Sequence, residues 1–285
     1  MQLNYRKFGE KGKVILILHG FLGSLDNWLT IAKSLSEDYQ VYIIDQRNHG
    51  RSPHLPEMDY CHLADDLLGF LLQHQIKEVI LLGHSMGGKT AMVFALHHPN
   101  MVQKLVVVDI APVDYIGGHE NILLAMSKLD LAKYQHRSDI VGILGTSIRS
   151  VAVLQFVLKN LSRNEQGEFY WKPNLGVLMA DYHKLMVFPE SEKQYLGDTL
   201  FIKGQISDYV NTLHQYRYKK YFPNLTLIEI EGAGHWVQAE KPNEFLEIVK
   251  GFFDNHTWLL CDFFFSENYS SSNSQFVKES TEGTP

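Results

Sequence analysis

Ser85 stands between two glycines in Gly83-His84-Ser85-Met86-Gly87, directly after the apolar run 79–82 and before a helix-forming stretch. Glycines two before and two after a serine leave room for a sharp strand-to-helix turn, which holds the serine in a strained backbone conformation with its hydroxyl projecting outward. The chemistry such an elbow offers is acyl transfer through a covalent serine ester. A serine hydroxyl is a poor nucleophile until an imidazole can take its proton. His235 lies in the glycine-flanked loop Glu231-Gly232-Ala233-Gly234-His235-Trp236 after the last strand-like run, from which a side chain can reach across the carboxyl ends of the strands. Of the 14 histidines, His54, His74, His97, His98, His119, His136, His183 and His214 read as solvated or structural, because histidine reactivity alone selects none of them.

Two acids compete for the role of orienting that imidazole. Asp109 ends the run Val106-Val107-Val108-Asp109, where a carboxylate next to a buried strand is costly unless hydrogen-bonded. Asp208 follows the run 199–203 and reads equally well as the cap of a following helix. A tetrahedral intermediate also needs backbone donors. The loop His19-Gly20-Phe21-Leu22-Gly23 supplies the Phe21 N–H, and Met86, directly after the nucleophile, supplies a second. The polar loop Asp45-Gln46-Arg47-Asn48-His49-Gly50-Arg51-Ser52 is expected to hold neighbouring loops together rather than to react. No metal-ligand spacing is present, since the adjacent His97 and His98 point apart on a helix, and no glycine loop with a following Lys and Ser/Thr is available to cradle phosphate.

Elements able to position these groups are visible around them. Strand-like runs at 14–18, 41–45, 79–82, 105–110, 199–203 and 225–231 alternate with helical patterns at 60–74, 87–98 and 242–253. The runs are apolar with little alternation, as strands covered on both faces require. The expected fold class is α/β, a mostly parallel central sheet with helices on both faces. The rhythm breaks over residues 112–193, where helical patterns such as 151–161 occur without a buried strand. An inserted helical lid is expected there, with residues 1–111 and 194–257 forming the core. Residues 258–285 read as a tail, polar and low in complexity at its end after the apolar Trp258-Leu259-Leu260 and Phe263-Phe264-Phe265.

Bulk properties narrow the partners. A chain of 285 residues with 45% hydrophobic and 20% charged residues can bury a substantial core. A net charge of −6 without a dense Lys/Arg block argues against nucleic acid or an anionic membrane and for a small-molecule ligand. Two cysteines, Cys61 and Cys261, imply no disulfide framework. No apolar run has signal-peptide or membrane-spanning length, so a cytoplasmic or organellar-matrix protein without integral membrane association is expected. The oligomeric state is not encoded in these features.

Together, these motifs resemble the α/β-hydrolase superfamily from His19-Gly20 through His235-Trp236. Asp45-x-Arg47-Asn48-His49-Gly50-x-Ser52, Val108-Asp109-Ile110-Ala111-Pro112 and the stretch from Asn160-Leu161 to Asn174-Leu175 resemble a narrower group, the small bacterial esterases with thioesterase activity and the related mitochondrial abhydrolase domain-containing proteins. The resemblance implies a serine hydrolase of short-chain esters or acyl-CoA thioesters with no cofactor, and an acid at Asp109. Many hydrolases keep their acid three residues after a glycine, and here that position, after Gly204, is Ser207; Asp208 beside it keeps the alternative open. The same serine, histidine and acid serve peptidases, carbon–carbon hydrolases and acyltransferases. A ligand receptor or chaperone-like partner with a slow triad is the alternative from another class.

Overall fold

The computed structural model describes residues 1–254; the sequence-expected tail, with Cys261 and the two apolar runs, lies outside them. Strands β1 (Tyr5–Phe8), β2 (Val14–Leu18), β3 (Gln40–Ile44), β4 (Val79–His84) and β5 (Val102–Val108) build the first part of the main sheet. A separate antiparallel hairpin follows, β6 (Leu161–Arg163) with β7 (Phe169–Trp171), and β8 (Asp198–Gly204) and β9 (Leu225–Ile230) complete the main sheet. Its order is β1-β3-β2-β4-β5-β8-β9, parallel throughout except where β1 pairs with β3. All six sequence-expected runs are therefore strands of one sheet. β1 is an addition: its Arg6 and Lys7 are exposed between half-buried Tyr5 and Phe8, a charged edge that blocks further pairing and carries little apolar signal.

The near-continuous apolar runs have a simple cause. Side chains alternate across a strand, so Leu16, Leu18, Leu81 and Val107 enter one core while Ile15, Ile17, Ile80, Leu82, Val106 and Val108 enter the other. Helix α1 (Leu29–Leu35) packs into the second core, whereas α2 (Tyr60–Gln73) and α3 (Met86–His97) pack into the first. Asp59 caps α2 by accepting the His62 N–H at 2.9 Å.

Between β5 and β8 the chain leaves the sheet for short helices α4 (Glu120–Lys128), α5 (Arg137–Ser147), α6 (Val151–Leu158), α7 (Leu175–Ala180) and α8 (Tyr182–Met186), with the β6–β7 hairpin after α6. After β8 come α9 (Gln215–Tyr221), α10 (Val237–Glu240) and α11 (Pro242–Phe253). Pro242 opens α11, whose Phe245, Val249, Phe252 and Phe253 cover the second core. Loops after β2 and β3 are bonded to this excursion, Leu22 O by Asn160 Nδ2 and Asn48 O by the Asn174 N–H.

Candidate active site

Ser85 ends β4 and precedes α3 with φ 53° and ψ −120°, a conformation costly for a residue with a Cβ. Gly83 and Gly87 make it possible. A Cβ on Gly83 would lie 2.2 Å from Gly87 O, and one on Gly87 would lie 2.6 Å from both Leu18 O and His19 O. Among the described residues, five non-glycines have positive φ, and four of them follow consecutive sheet strands: Leu22 after β2, Asn48 after β3, Ser85 after β4 and Asp109 after β5. Strain of this kind persists only where surrounding contacts over-determine it.

Those contacts are specific. Asp109 is fully buried, and its carboxylate accepts the Gly204 N–H at 3.0 Å and the Ser207 hydroxyl. His235 Nδ1 lies 2.7 Å from Asp109 Oδ2. The carboxylate can only accept, so Nδ1 carries the proton and Nε2 is the nitrogen with a free lone pair. Tyr209 stacks on the imidazole at 4.0 Å between centroids, and the His84 Nε2–H donates to the His235 carbonyl at 2.8 Å. Burial holds His84 well below the usual histidine range, which keeps it a neutral donor. Asp208 is exposed, lines the smaller of two cavities and makes no hydrogen bond or ion pair among the described residues.

Both cavities open onto Ser85. The larger, about 760 Å³, is lined by Ser85, His235, Phe156 and Trp236 among others; the smaller, about 190 Å³, by Ser85, Met86, Lys89, Tyr60 and Tyr115. Among the described residues the Ser85 hydroxyl has no hydrogen-bond partner, and neither the Phe21 nor the Met86 N–H has an acceptor. Three groups that could serve one reacting carbonyl are thus left unpaired at a common surface. Phe21 is held there through its neighbour: the Leu22 N–H donates to His49 Nε2 at 3.1 Å, and Leu22 O accepts from Asn160 Nδ2 at 2.8 Å.

The loop at 45–52 holds its neighbours, as its composition suggests. Asp45 accepts from Asn4 Nδ2, Leu25 N and Arg51 N at 2.6–2.8 Å, and Arg47 grips Asp66 through two bonds of 2.5 and 2.6 Å. Burial pushes His19 down to about 4 and His49 to about 3, so both rings are neutral acceptors of backbone N–H groups from Gln46 and Leu22. No group of three or more His, Cys, Asp or Glu side chains among the described residues could hold a metal ion.

The chain matches the α/β hydrolase fold family over residues 13–242. It belongs to the α/β-hydrolase family. The hydrolase is 37% identical over 246 residues to an sn-1-specific diacylglycerol lipase, ABHD11, of Mus musculus, covering 84% of this chain and 80% of that protein. It is 35% identical over 242 residues to esterase YbfF of Escherichia coli K12, covering 85% of this chain and 93% of the esterase. Among solved structures, a marine microorganism esterase superposes with a TM-score of 0.86 at 40% identity, covering 88% of this chain and 99% of that one. With such relatives it is a carboxylesterase-type hydrolase. No helix among its described residues is long and apolar enough to cross a membrane.

The hydrolase also brings to the site several residues that nothing in the sequence marks for it. His119 lines both cavities, with its Nδ1 taking the Tyr182 hydroxyl at 2.8 Å; among 14 histidines nothing local marks it. Tyr209 and Ser207 lie beside Asp208, so the loop after β8 contributes contacts to the His235 imidazole and to the Asp109 carboxylate.

Proposed function

We propose that the hydrolase cleaves carboxylic esters or acyl thioesters, short-chain esters and acyl-CoA among them, through an acyl-enzyme on Ser85. The observation that carries this reading is the 2.7 Å contact between His235 Nδ1 and the buried Asp109 carboxylate, beside a cavity that His235 shares with Ser85. With Nδ1 protonated, Nε2 takes the Ser85 proton as Oγ attacks the acyl carbonyl carbon. The oxyanion then accepts the Phe21 and Met86 N–H groups, and losing one such donor typically costs about a hundredfold or more in rate. The imidazolium returns its proton to the leaving alkoxide or thiolate, and Asp109 stabilises the imidazolium in between. Water, deprotonated by His235, then attacks the acyl-enzyme, releases the carboxylic acid and restores Ser85. Residues 112–193 form a lid whose side chains complete both cavities, and Asp208 stays outside the chemistry.

A fluorophosphonate probe tests the reading. Ser85 is expected to be labelled in the wild type, and Ser85→Ala to lose both the label and at least about 10³-fold of ester hydrolysis. A folded wild type that neither takes the probe nor cleaves a panel of p-nitrophenyl esters and acyl-CoAs would refute it and favour a ligand receptor.

A further inference from the structure

Lys89 lies in the first turn of α3, four residues after Ser85, and its N–H donates to Ser85 O at 3.1 Å. Its side chain is buried at 1% exposure yet lines the smaller cavity. The ammonium has three donors, and its one hydrogen bond among the described residues is to Met186 O at 3.0 Å. Otherwise it faces aromatic rings, Tyr115 at 4.7 Å and Tyr60 at 5.5 Å from their centroids. The hydroxyls of those tyrosines are engaged elsewhere: Tyr60 donates to Leu185 O and Tyr115 to Tyr209 O.

Lys89 forms no ion pair among the described residues. Burial accordingly pushes its amine down to about 7, with Asp114 opposing the shift and Arg217 adding to it. A buried cation without an anion is expensive, and an aliphatic side chain would cover the same helix face at lower cost. The same cavity wall carries Ser85, proposed above to attack the acyl carbonyl, and Phe21 and Met86, proposed to bind its oxyanion.

We propose that the smaller cavity takes the acyl part of the substrate and that Lys89 pairs there with a carboxylate at the far end of a short acyl chain. This inference rests on the Ser85 reading and narrows it: the favoured substrates are half-esters or half-thioesters of short dicarboxylic acids. Water adds across the acyl bond to give the free dicarboxylic acid and the alcohol or thiol. The exposed Asp208 lies at the same cavity, where solvent screens it, while an incoming carboxylate meets the buried lysine and by pairing with it favours the protonated ammonium.

Monoethyl glutarate and ethyl valerate have acyl chains of equal length and differ in the distal carboxylate. The ratio of their kcat/KM values is expected to favour the half-ester in the wild type and to fall by about tenfold or more in Lys89→Met, with Lys89→Arg retaining more of it. An unchanged ratio in Lys89→Met, or a wild type that prefers valerate, overturns the proposal. Should Lys89→Met not fold, inhibition of the wild type decides: glutarate is expected to compete more strongly than valerate, and the reverse order overturns it. Cleavage of ethyl valerate with Ser85 labelled but no preference for the half-ester would sink this inference alone. Loss of labelling and of all ester cleavage would sink the esterase reading with it.

Discussion

β4 is buried at all six of its positions, whereas α5, in the segment between β5 and β8, buries only Ile140 and Leu144 of eleven residues. The two regions meet at Ser85 and treat it differently. Strand ends hold the backbone of Ser85 and Asp109 at positive φ, 53° and 49°. The excursion lines the cavities with side chains such as His119 and Phe156, and polar clasps tie it to the core: Asn160 on Leu22 O, Asn174 N on Asn48 O, and Lys89 of the core on Met186 O. On the proposed reading, the sheet places the reacting groups rigidly and the excursion shapes what can reach them. Mutations in the first region should therefore act on chemistry, and those in the second on substrate choice and loop order.

The largest separation is expected between two aspartates on the core side. Asp109→Asn removes the acceptor that sets the His235 tautomer and should lower kcat by roughly 10³- to 10⁴-fold. Asp208→Asn, changing an exposed side chain without a partner among the described residues, should change kcat by less than about threefold. Steady-state kinetics on one good ester measure both. A collapse of activity in the second variant and not the first would move the acid to Asp208 and break the assignment of chemistry to the strand end.

Ser85, Asp109 and His235 can be read as candidates from sequence because each follows a strand, and a run of apolar residues with a glycine or polar break is a local signal. β1 cannot, since four residues with two exposed cations leave no such run. Contacts between distant segments leave no spacing to read either. Ser207 reaches Asp109 across 98 positions and Asn160 reaches Leu22 across 138, so only the folded chain brings them together. The β6–β7 hairpin is three residues per strand with a single buried position, Leu161, too short for a periodic pattern to emerge.

Asn160 tests the excursion's share. It is buried, and its Nδ2 holds Leu22 O while His49 holds the Leu22 N–H, so the two regions pin one residue from opposite sides. Asn160→Ala should lower kcat by about tenfold through a looser Phe21 amide, and should lower stability by about 1–3 kcal/mol for the unpaired carbonyl. Thermal unfolding and kinetics read the two effects. Loss of stability without loss of kcat would reduce the clasp to packing and sharpen the boundary between the regions.

The smallest effect concerns the core-side half of that pin. His19 and His49 stay neutral in the folded protein down to about pH 4 and 3, because burial disfavours their charged forms. The unfolded chain takes up those protons near pH 6.5, so between pH 6.5 and about 4 unfolding binds protons that folding excludes. Stability contributed by the neutral rings is complete above pH 6.5 and declines as pH falls toward the folded-state values, by at most about 1.4 kcal/mol per pH unit for each ring. His49→Gln keeps an acceptor for the Leu22 N–H but cannot titrate. Urea unfolding at pH 6 and pH 5, in the upper part of this window, should therefore show a shallower loss in the variant than in the wild type. Equal losses would mean that His49 charges without cost in the fold, and that the Leu22 N–H is held from the core by something other than a neutral imidazole.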